Sequence, residues 1–166
     1  MKVSQNWLKN LVEITSTPKE LSEKLSIGGF EVESLEDCSE NVKGVVLGKV
    51  LSVSKHEGSD KLSICQVDIG SSKNLQIICG ASNIKSNIYV YVATIGAKLN
   101  AIDLTIKKSE IRGVMSEGMI CSLQELGLED SSEGIKIIDE DLALKYELGT
   151  PSSCLLYTSP SPRDRG

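Results

Sequence analysis

The chain has 166 residues, 40% of them hydrophobic and 25% charged, and these proportions are typical of a globular protein. Its formal net charge of −5 argues against strong binding to nucleic acid by charge alone, because such binding usually needs a basic surface. No apolar stretch approaches the ~20 residues that cross a bilayer, so no membrane partner is expected. A structural zinc site needs four converging ligands, and the chain has one histidine and five cysteines without C-x-x-C spacing, so no metal site is predicted.

The amino-terminal part of the chain has a helical pattern. A short turn is predicted over residues 4–11, with Trp7 at helical spacing. Thr17, Pro18 and Glu20 then have the order of a helix start with a capping box. The expected buried stripe of this helix is Leu21, Leu25 and Ile27. Apolar and polar residues alternate over 30–35, which predicts a half-buried strand.

Residues 44–119 are rich in β-branched residues and are punctuated by Gly, Asn, Ser and Asp. Five strands are predicted: Val45–Val53, Leu62–Ile69, Leu75–Cys79, Tyr89–Ile95 and Leu104–Ile111. They follow one another too closely for βαβ crossovers, which need a dozen or more residues each. The fold class expected is therefore mainly β, a five-stranded OB-type Greek-key barrel behind a small, incomplete α/β amino-terminal module. A capped helical turn is predicted at 122–128, and a short closing strand at 134–138.

Changes in composition predict the domain boundaries. The amino-terminal α/β module covers residues 1–39, the OB-fold domain residues 40–150, and a disordered tail residues 151–166. Residues 154–166 lack any amphipathic period and resemble the conceptual translation of a sequencing-library adaptor, which would make the true chain longer. A Ser/Pro-rich linker is the other interpretation of this segment. The absence of C-x-x-C pairs and of a secretory leader predicts reduced thiols and a cytoplasmic protein.

Enzyme signatures are absent from the sequence. It contains no G-x-x-x-x-G-K-[ST] phosphate loop, no G-x-G-x-x-G and no G-x-S-x-G elbow. His56 and Asp60 share a short polar loop with nothing to desolvate or orient them as a catalytic pair. No catalytic residue is predicted.

The most informative features are three polar, glycine-containing islands at the ends of predicted strands, where a barrel presents loop residues to a ligand. In the first island, Lys55, His56 and Lys61 place two ammonium groups and an imidazole on one rim, where they can meet phosphates. A solvated hairpin whose lysines serve solubility is an equally good interpretation of this island.

The other two islands also leave two interpretations open. Asn83 of the second island can bond a base edge, or it can bond its own backbone in an Asx-type turn. Arg112 of the third island suits a phosphate or a base, or it can pair with a surface glutamate. The further candidates for nucleic-acid contact at this island are Lys107, Lys108, Ser116 and Glu117.

Taken together, the islands resemble a known family. Lys55-His56-x-x-x-Asp60-Lys61-Leu62, Cys79-Gly80-Ala81-x-Asn83 and Arg112-Gly113-Val114-x-Ser116-x-Gly118-Met119 are similar to the EMAP-type tRNA-binding OB domain. The segments at residues 1–8 and 28–33 are similar to the start of the bacterial phenylalanine–tRNA ligase beta chain. The resemblance extends from residue 1 to about residue 150.

This resemblance implies a noncatalytic, tRNA-binding part of an α₂β₂ ligase that charges tRNA with phenylalanine in the cytoplasm. ATP and magnesium are implied for the parent complex, whose synthetic site is on the alpha subunit, and no cofactor is implied for this fragment. The expected contact with tRNA is weak and local. The alternative is a stand-alone OB module that acts as a tRNA chaperone or a homodimeric interaction domain, although such modules lack the amino-terminal segments.

Overall fold

β-Branched residues concentrate after residue 44, and there the computed structural model of the chain has its long strands. The structure describes residues 8–9, 11–35 and 42–156, so the predicted contributions of Ser4 and Trp7, and of residues 157–166, lie outside the described residues. One unit of the chain is Ser39–Ser153, and the described residues outside these bounds belong to a second unit. No helix in the described part of the chain is long and apolar enough to cross a membrane.

The described amino-terminal residues contain one long helix, α1 (Pro18–Ile27). The predicted capping box is confirmed: Thr17 N–H donates to Glu20 Oε2 at 2.9 Å, and Glu20 N–H donates to Thr17 Oγ1 at 3.3 Å. The predicted buried stripe is wrong, because α1 has no buried residue and Ile27 is 87% exposed. Residues 30–35 form no strand, since no described strand offers them backbone partners.

Four longer strands form the framework of the unit Ser39–Ser153: β1 (Val45–His56), β2 (Ser59–Asp68), β3 (Leu75–Cys79) and β4 (Tyr89–Thr94). The shorter strands are β5 (Lys98–Leu99), β6 (Leu104–Thr105), β7 (Ser109–Ile111), β8 (Val114–Ser116), β9 (Gly118–Ile120) and β10 (Ile137–Ile138). A 3₁₀ turn at Asn100–Ile102 and two short helices, α2 (Glu140–Ala143) and α3 (Ser152–Leu156), complete the described elements.

The long strand β1 is shared between two partners. Its first half pairs antiparallel with β4, from Val45↔Ala93 to Lys49↔Tyr89, and its second half pairs antiparallel with β2. A β-bulge at Leu51 interrupts the register with β2, and bulges of this kind increase the local bend and twist of a strand. The strand can therefore leave one neighbour and join the other, as the wall of a small barrel requires.

The barrel closes between β3 and the segment β8–β9. Glu117 N–H donates to the Gln76 carbonyl at 2.8 Å, and Ile78 N–H donates to Ser116 Oγ at 3.1 Å. Because β9 pairs with β4 and β4 pairs with β1, the path returns to its starting strand. The result is a nearly closed antiparallel barrel, which confirms the predicted OB-type fold class.

The fifth wall of this barrel differs from the prediction. The segment Leu104–Ile111 was the expected fifth strand, but it is divided into β6 and β7, and residues 114–120 close the barrel instead. Ile106 bonds back to Ala97 and Gly96, which ends β6, and Lys107-Lys108 follows outside any strand. The predicted turn at 122–128 has its cap, since Ser122 and Glu125 exchange hydrogen bonds of 2.6 and 3.3 Å.

The core lies inside the barrel. Its buried members include Val50, Cys65, Val67, Ile77, Cys79, Val90, Val92 and Ile120. Burial raises the pKa of the Cys65 and Cys121 thiols to about 12, so both behave as small apolar side chains. At Gly48 the strands approach so closely that an added Cβ would lie 2.6 Å from Val92 Cγ2 and 3.0 Å from Val67 Cγ1.

The free edge of β1 is covered by residues near the end of the unit. Gly149 N–H donates to the Leu47 carbonyl at 2.8 Å, Leu47 N–H donates to the Thr150 carbonyl at 2.9 Å, and Pro151 forms an isolated bridge with Val46. Pro151 and α3 therefore have regular structure where a disordered tail was expected to begin. The predicted domain boundaries themselves stay a prediction.

The closure of the barrel also depends on charge. The Glu117 carboxylate accepts from Gln76 N–H at 3.4 Å, and its Oε1 lies 3.4 Å from Lys73 Nζ and 3.6 Å from Lys108 Nζ. The Gln76 N–H and, after it, the two ammonium groups lower the pKa of Glu117 below its ordinary value of 4.5, although partial burial opposes them. Ionised Glu117 is thus favoured by the folded barrel.

We predict that Glu117→Gln reduces stability at pH 7 and that this difference disappears on acidification. Because the folded pKa is lowered, the stabilisation is fully present above pH 4.5 and is lost as the pH falls through the folded pKa. Urea unfolding midpoints of both proteins between pH 7 and pH 3 measure it. Glu57→Gln, at an exposed turn residue, is the matched control for the loss of one surface carboxylate. A constant difference between Glu117→Gln and the wild type over this pH range would contradict the prediction.

A second prediction concerns the packing at Gly48. Gly48→Ala should destabilise the unit by about 1–3 kcal/mol, as overpacking of a core does. Gly80→Ala is the matched control, because a Cβ there would meet its nearest neighbour, Leu62 Cδ2, at an ordinary 3.5 Å. Denaturant midpoints with an unchanged m-value check the difference. Equal midpoints for the two variants would show that β1 can move away from β4 without loss.

Candidate nucleic-acid interface

The first island is a tight hairpin rather than an open loop. β1 and β2 continue almost to its tip, and only Glu57 and Gly58 form the turn. Lys55 on β1 makes an exposed ion pair with Asp60, and such pairs add little to stability. Lys61 on β2 is exposed and forms no ion pair with any described residue. Both ammonium groups therefore remain accessible beside the turn.

The third island is a second tight hairpin, β7–β8, whose turn consists of Arg112 and Gly113. Both residues have positive φ, 50° and 82°, as a two-residue hairpin turn of the primed type requires. The exposed Arg112 side chain reaches the first island, where its Nη1 donates to the Gly58 carbonyl at 2.7 Å. The two turns are therefore in direct contact, which their separation of about 50 residues in sequence does not reveal.

The structure corrects the expected position of His56. Its side chain is 2% exposed instead of lying on the rim. Gly58 N–H donates to Nδ1 at 2.8 Å, and Nε2 lies 3.1 Å from the Ile111 carbonyl. Both ring nitrogens are thus occupied by backbone groups of the two turns. The sequence suggested exposure because the island is polar, but β1 extends to residue 56 and turns the ring inward.

Asn83 is likewise occupied by the protein. Its Nδ2 donates to the Ile135 carbonyl at 2.9 Å, and its Oδ1 accepts from Ile135 N–H at 3.1 Å. The side-chain amide therefore forms the pair of hydrogen bonds that a neighbouring strand would form. It joins the second island to the residues before β10. Of the two interpretations that the sequence left open, the structure supports bonding to the backbone, although to a distant segment and not in a local turn.

A shallow groove of about 340 Å³ lies beside the second island. Its lining includes Cys79, Ala81, Met119 and Glu125. Burial raises the pKa of the Cys79 thiol, and Glu125 adds to the rise, so the thiol stays protonated near neutral pH. The groove therefore offers apolar surface without a reactive nucleophile.

Two more predicted contact residues of the third island serve the fold. Ser116 is buried; its Oγ accepts from Ile78 N–H and donates to the Gly118 carbonyl at 3.1 Å. Glu117 is engaged by Gln76 and by two lysines, as described above. Neither side chain is free for a base or a ribose.

Lys107 and Lys108 lie at the base of the β7–β8 hairpin and are exposed. Lys108 joins Lys73 at Glu117. Lys73 and Glu117, with Gln66 and Gln76, line a groove of about 270 Å³. Sequence reasoning missed Lys73, because it lies 44 residues from Glu117 and no local pattern marks it. Of the predicted cations, Lys55, Lys61 and Arg112 thus lie at the two touching turns, and Lys108 lies at the closure of the barrel.

We call Lys55, Lys61 and Arg112 the cationic rim, since they lie on or beside the two touching turns. The charge along the chain is also unevenly distributed. Residues 42–120 contain ten basic and six acidic side chains, whereas residues 121–147 contain two basic and eight acidic ones. Residues 1–41 contain four basic and eight acidic side chains, so the acidic balance of the chain arises on both sides of residues 42–120. A count by segment would have shown this from the sequence.

In the part of the chain that the structure describes, no group of three or more His, Cys, Asp or Glu side chains could hold a metal ion. Cys65, Cys79 and Cys121 are free thiols, and all three are buried. The described cysteines thus serve packing, as expected of the barrel interior.

Comparison with known proteins agrees with this geometry. The family described as "Putative tRNA binding domain" matches residues 45–145, which cover the barrel. The phenylalanine–tRNA ligase beta subunit of Prochlorococcus marinus (strain MIT 9312) is 88% identical over 156 residues, which is 94% of this chain and 19% of the relative. That of Synechococcus sp. (strain CC9902) is 51% identical over 155 residues, 93% of this chain and 19% of the relative.

Among solved structures, the MetRS-related protein of Pyrococcus horikoshii is 21% identical, with a TM-score of 0.48 and coverage of 70% of this chain and 96% of that one. The chain spans about a fifth of the length of the curated relatives that it matches. The resemblance to the ligase beta subunit is confirmed over nearly the whole chain. The chain therefore belongs to the tRNA-binding domain family, with its closely similar relatives among the phenylalanine–tRNA ligase beta subunits.

Proposed function

We propose that the barrel contacts tRNA through the cationic rim, as an accessory and noncatalytic part of a phenylalanine–tRNA ligase beta subunit. The observation that supports this proposal is the direct contact between the two turns, which gathers three cations at one end of the barrel. In OB folds the loops after the first and fourth barrel strands, with the face of the second and third, commonly bind oligonucleotides. The β1–β2 turn and the β7–β8 turn occupy these two loops.

The expected contact is weak and depends on salt. Each phosphate neutralised contributes about 0.7–0.9 to the slope of log affinity against log salt, so three cations give a slope of roughly −2 to −3. Asp60 offsets part of the charge of Lys55, which lowers the expected contribution of that residue. The rim is therefore suited to orienting tRNA, while contacts elsewhere in a larger enzyme supply most of the affinity.

For the whole ligase, the names of the relatives support the formation of phenylalanyl-tRNA by an enzyme that has a beta subunit. An alpha subunit, ATP, magnesium and a cytoplasmic location belong to the same proposal and rest on the resemblance of the sequence to the ligase family. None of these is assigned to the described residues. The sequence lacks a phosphate loop, and the described residues contain no group of three or more His, Cys, Asp or Glu side chains that could hold a metal ion. The chemistry is therefore proposed to take place in other parts of the parent complex.

A stand-alone chaperone or homodimeric module is less well supported. The 88% identity to a ligase beta subunit covers 94% of the chain, and therefore extends beyond the barrel that such a module would need. The resemblance of the amino-terminal segments to the ligase agrees with this coverage.

We predict that Lys61→Gln weakens tRNA binding by the 166-residue chain roughly three- to tenfold at low salt and reduces the salt slope by about 1. Lys61 is the clearest test, because it forms no ion pair with a described residue, whereas Arg112 also supports the Gly58 carbonyl. Fluorescence anisotropy with labelled tRNA at several salt concentrations measures both quantities.

The matched control is Lys98→Gln. Lys98 is also an exposed lysine on a strand. It comes after the end of β4 that pairs with the first residues of β1, whereas the cationic rim lies at the last residues of β1. Its removal should leave affinity within about twofold of the wild type. Equal losses for the two variants would show that binding is diffuse, and no retention of tRNA by the wild type would refute the proposed contact.

We also predict that the purified chain forms no phenylalanyl-tRNA from ATP, phenylalanine and tRNA. The reason is that the sequence carries no phosphate-loop motif, and the family resemblance implies a synthetic site on the alpha subunit. An aminoacylation assay beside a complete ligase as positive control checks this. ATP-dependent charging by this chain, after removal of trace contaminants, would overturn the noncatalytic assignment.

A further inference from the structure

We propose that His56 is a positioning residue, which joins the two turns of the cationic rim and thereby holds Arg112 in place for a phosphate. This inference rests on the proposed tRNA contact and assigns a role to a buried side chain that cannot itself reach tRNA. His56 is the only histidine of the chain. Its ring lies between Gly58 of the first turn and Ile111 of the second.

The hydrogen bonds determine the state of the ring. Because Gly58 N–H donates to Nδ1, that nitrogen must carry a lone pair. The proton of the neutral imidazole is therefore on Nε2, which donates to the Ile111 carbonyl at 3.1 Å. The ring accepts from one turn and donates to the other, and no other neutral tautomer can do both.

Arg112 joins the same two turns from the solvent side. It directly follows Ile111, and its Nη1 donates to the carbonyl of Gly58, whose N–H is already bonded to His56. The residues are also closely packed, since a Cβ on Gly58 would lie 3.1 Å from His56 Cε1 and 3.6 Å from Arg112 Cβ. Gly58 is thus held by the buried ring through its N–H and by the guanidinium through its carbonyl.

We expect the hydrogen bonds of the buried His56 ring to control the orientation of the exposed Arg112 side chain. A hydrogen bond from an exposed guanidinium to a carbonyl competes with water, whereas the bonds of a buried imidazole do not and are stronger in their low-dielectric surroundings. Without the ring, the two turns are joined only by the exposed bond. Arg112 would then sample more orientations and would lose freedom on binding a phosphate.

The variant His56→Gln tests this role, because glutamine can keep a donor near the position of Nε2 but offers no acceptor at the position of Nδ1. With the full 166-residue chain and labelled tRNA at low salt, we expect a loss of affinity of about fivefold. Arg112→Gln should lose at least as much. The double variant should bind within twofold of Arg112→Gln alone, since His56 acts through Arg112.

Losses that multiply in the double variant would show that His56 acts independently of Arg112 and would overturn the proposal. Unchanged affinity of folded His56→Gln would do the same. Lys98→Gln, combined with His56→Gln, is the control pair; its effects should remain independent. The urea midpoint of His56→Gln separates folding from positioning: a loss of affinity that only follows the fraction of unfolded protein would overturn the proposal.

Two NMR measurements do not depend on tRNA binding, and the first of them needs only the wild type. The ¹⁵N NMR spectrum of the single imidazole should show a protonated Nε2 and an unprotonated Nδ1. A protonated Nδ1 would show that His56 does not join the two turns in the way proposed. Nuclear Overhauser contacts between Gly58 and Arg112 should be present in the wild type and lost in His56→Gln. If these contacts hold but tRNA does not bind, the tRNA function fails and the positioning role fails with it, while the joint between the turns stands.

Discussion

The structure depends on the bonds that close the barrel between β3 and β8–β9. Glu117 N–H and Ser116 Oγ reach β3 at Gln76 and Ile78, about 40 residues earlier in the chain. This closure fixes where the β7–β8 hairpin leaves the wall and brings its tip against the β1–β2 turn. The proposed rim is thus a consequence of the closure, because neither hairpin alone gathers its three cations.

Local sequence patterns correctly predicted the elements that depend on short-range interactions. The capping box at Thr17 and the positions of β1 to β4 follow from short-range chemistry and from runs of β-branched residues. The fifth wall could not be predicted in this way, since Leu104–Ile111 has strand composition but bonds to Ala97 and Gly96, and the short segment 114–120 has the better partner. A strand is stabilised by the strand that it pairs with, and the local sequence of a strand does not identify that partner.

The polar residues of the islands show the same limit. His56, Asn83 and Ser116 were candidates for tRNA contact because they are polar and follow strands, yet each satisfies backbone groups. The bond from Asn83 to Ile135 spans 52 residues and that from His56 to Ile111 spans 55. Composition identifies that a residue can form a hydrogen bond, but only the fold decides whether its partner is the protein or a ligand.

The acidic chain and its tRNA-binding family are compatible once charge is considered by region. The excess of acidic residues lies before residue 42 and after residue 120, and residues 42–120 are basic on balance. Exposed charges act over about a Debye length, roughly 8–10 Å at physiological salt, so the charges near a contact influence it more than the net charge of the chain does. Three cations on two joined turns can therefore recognise phosphate geometry, while the low net charge of the chain limits nonspecific attraction and leaves affinity to a larger assembly.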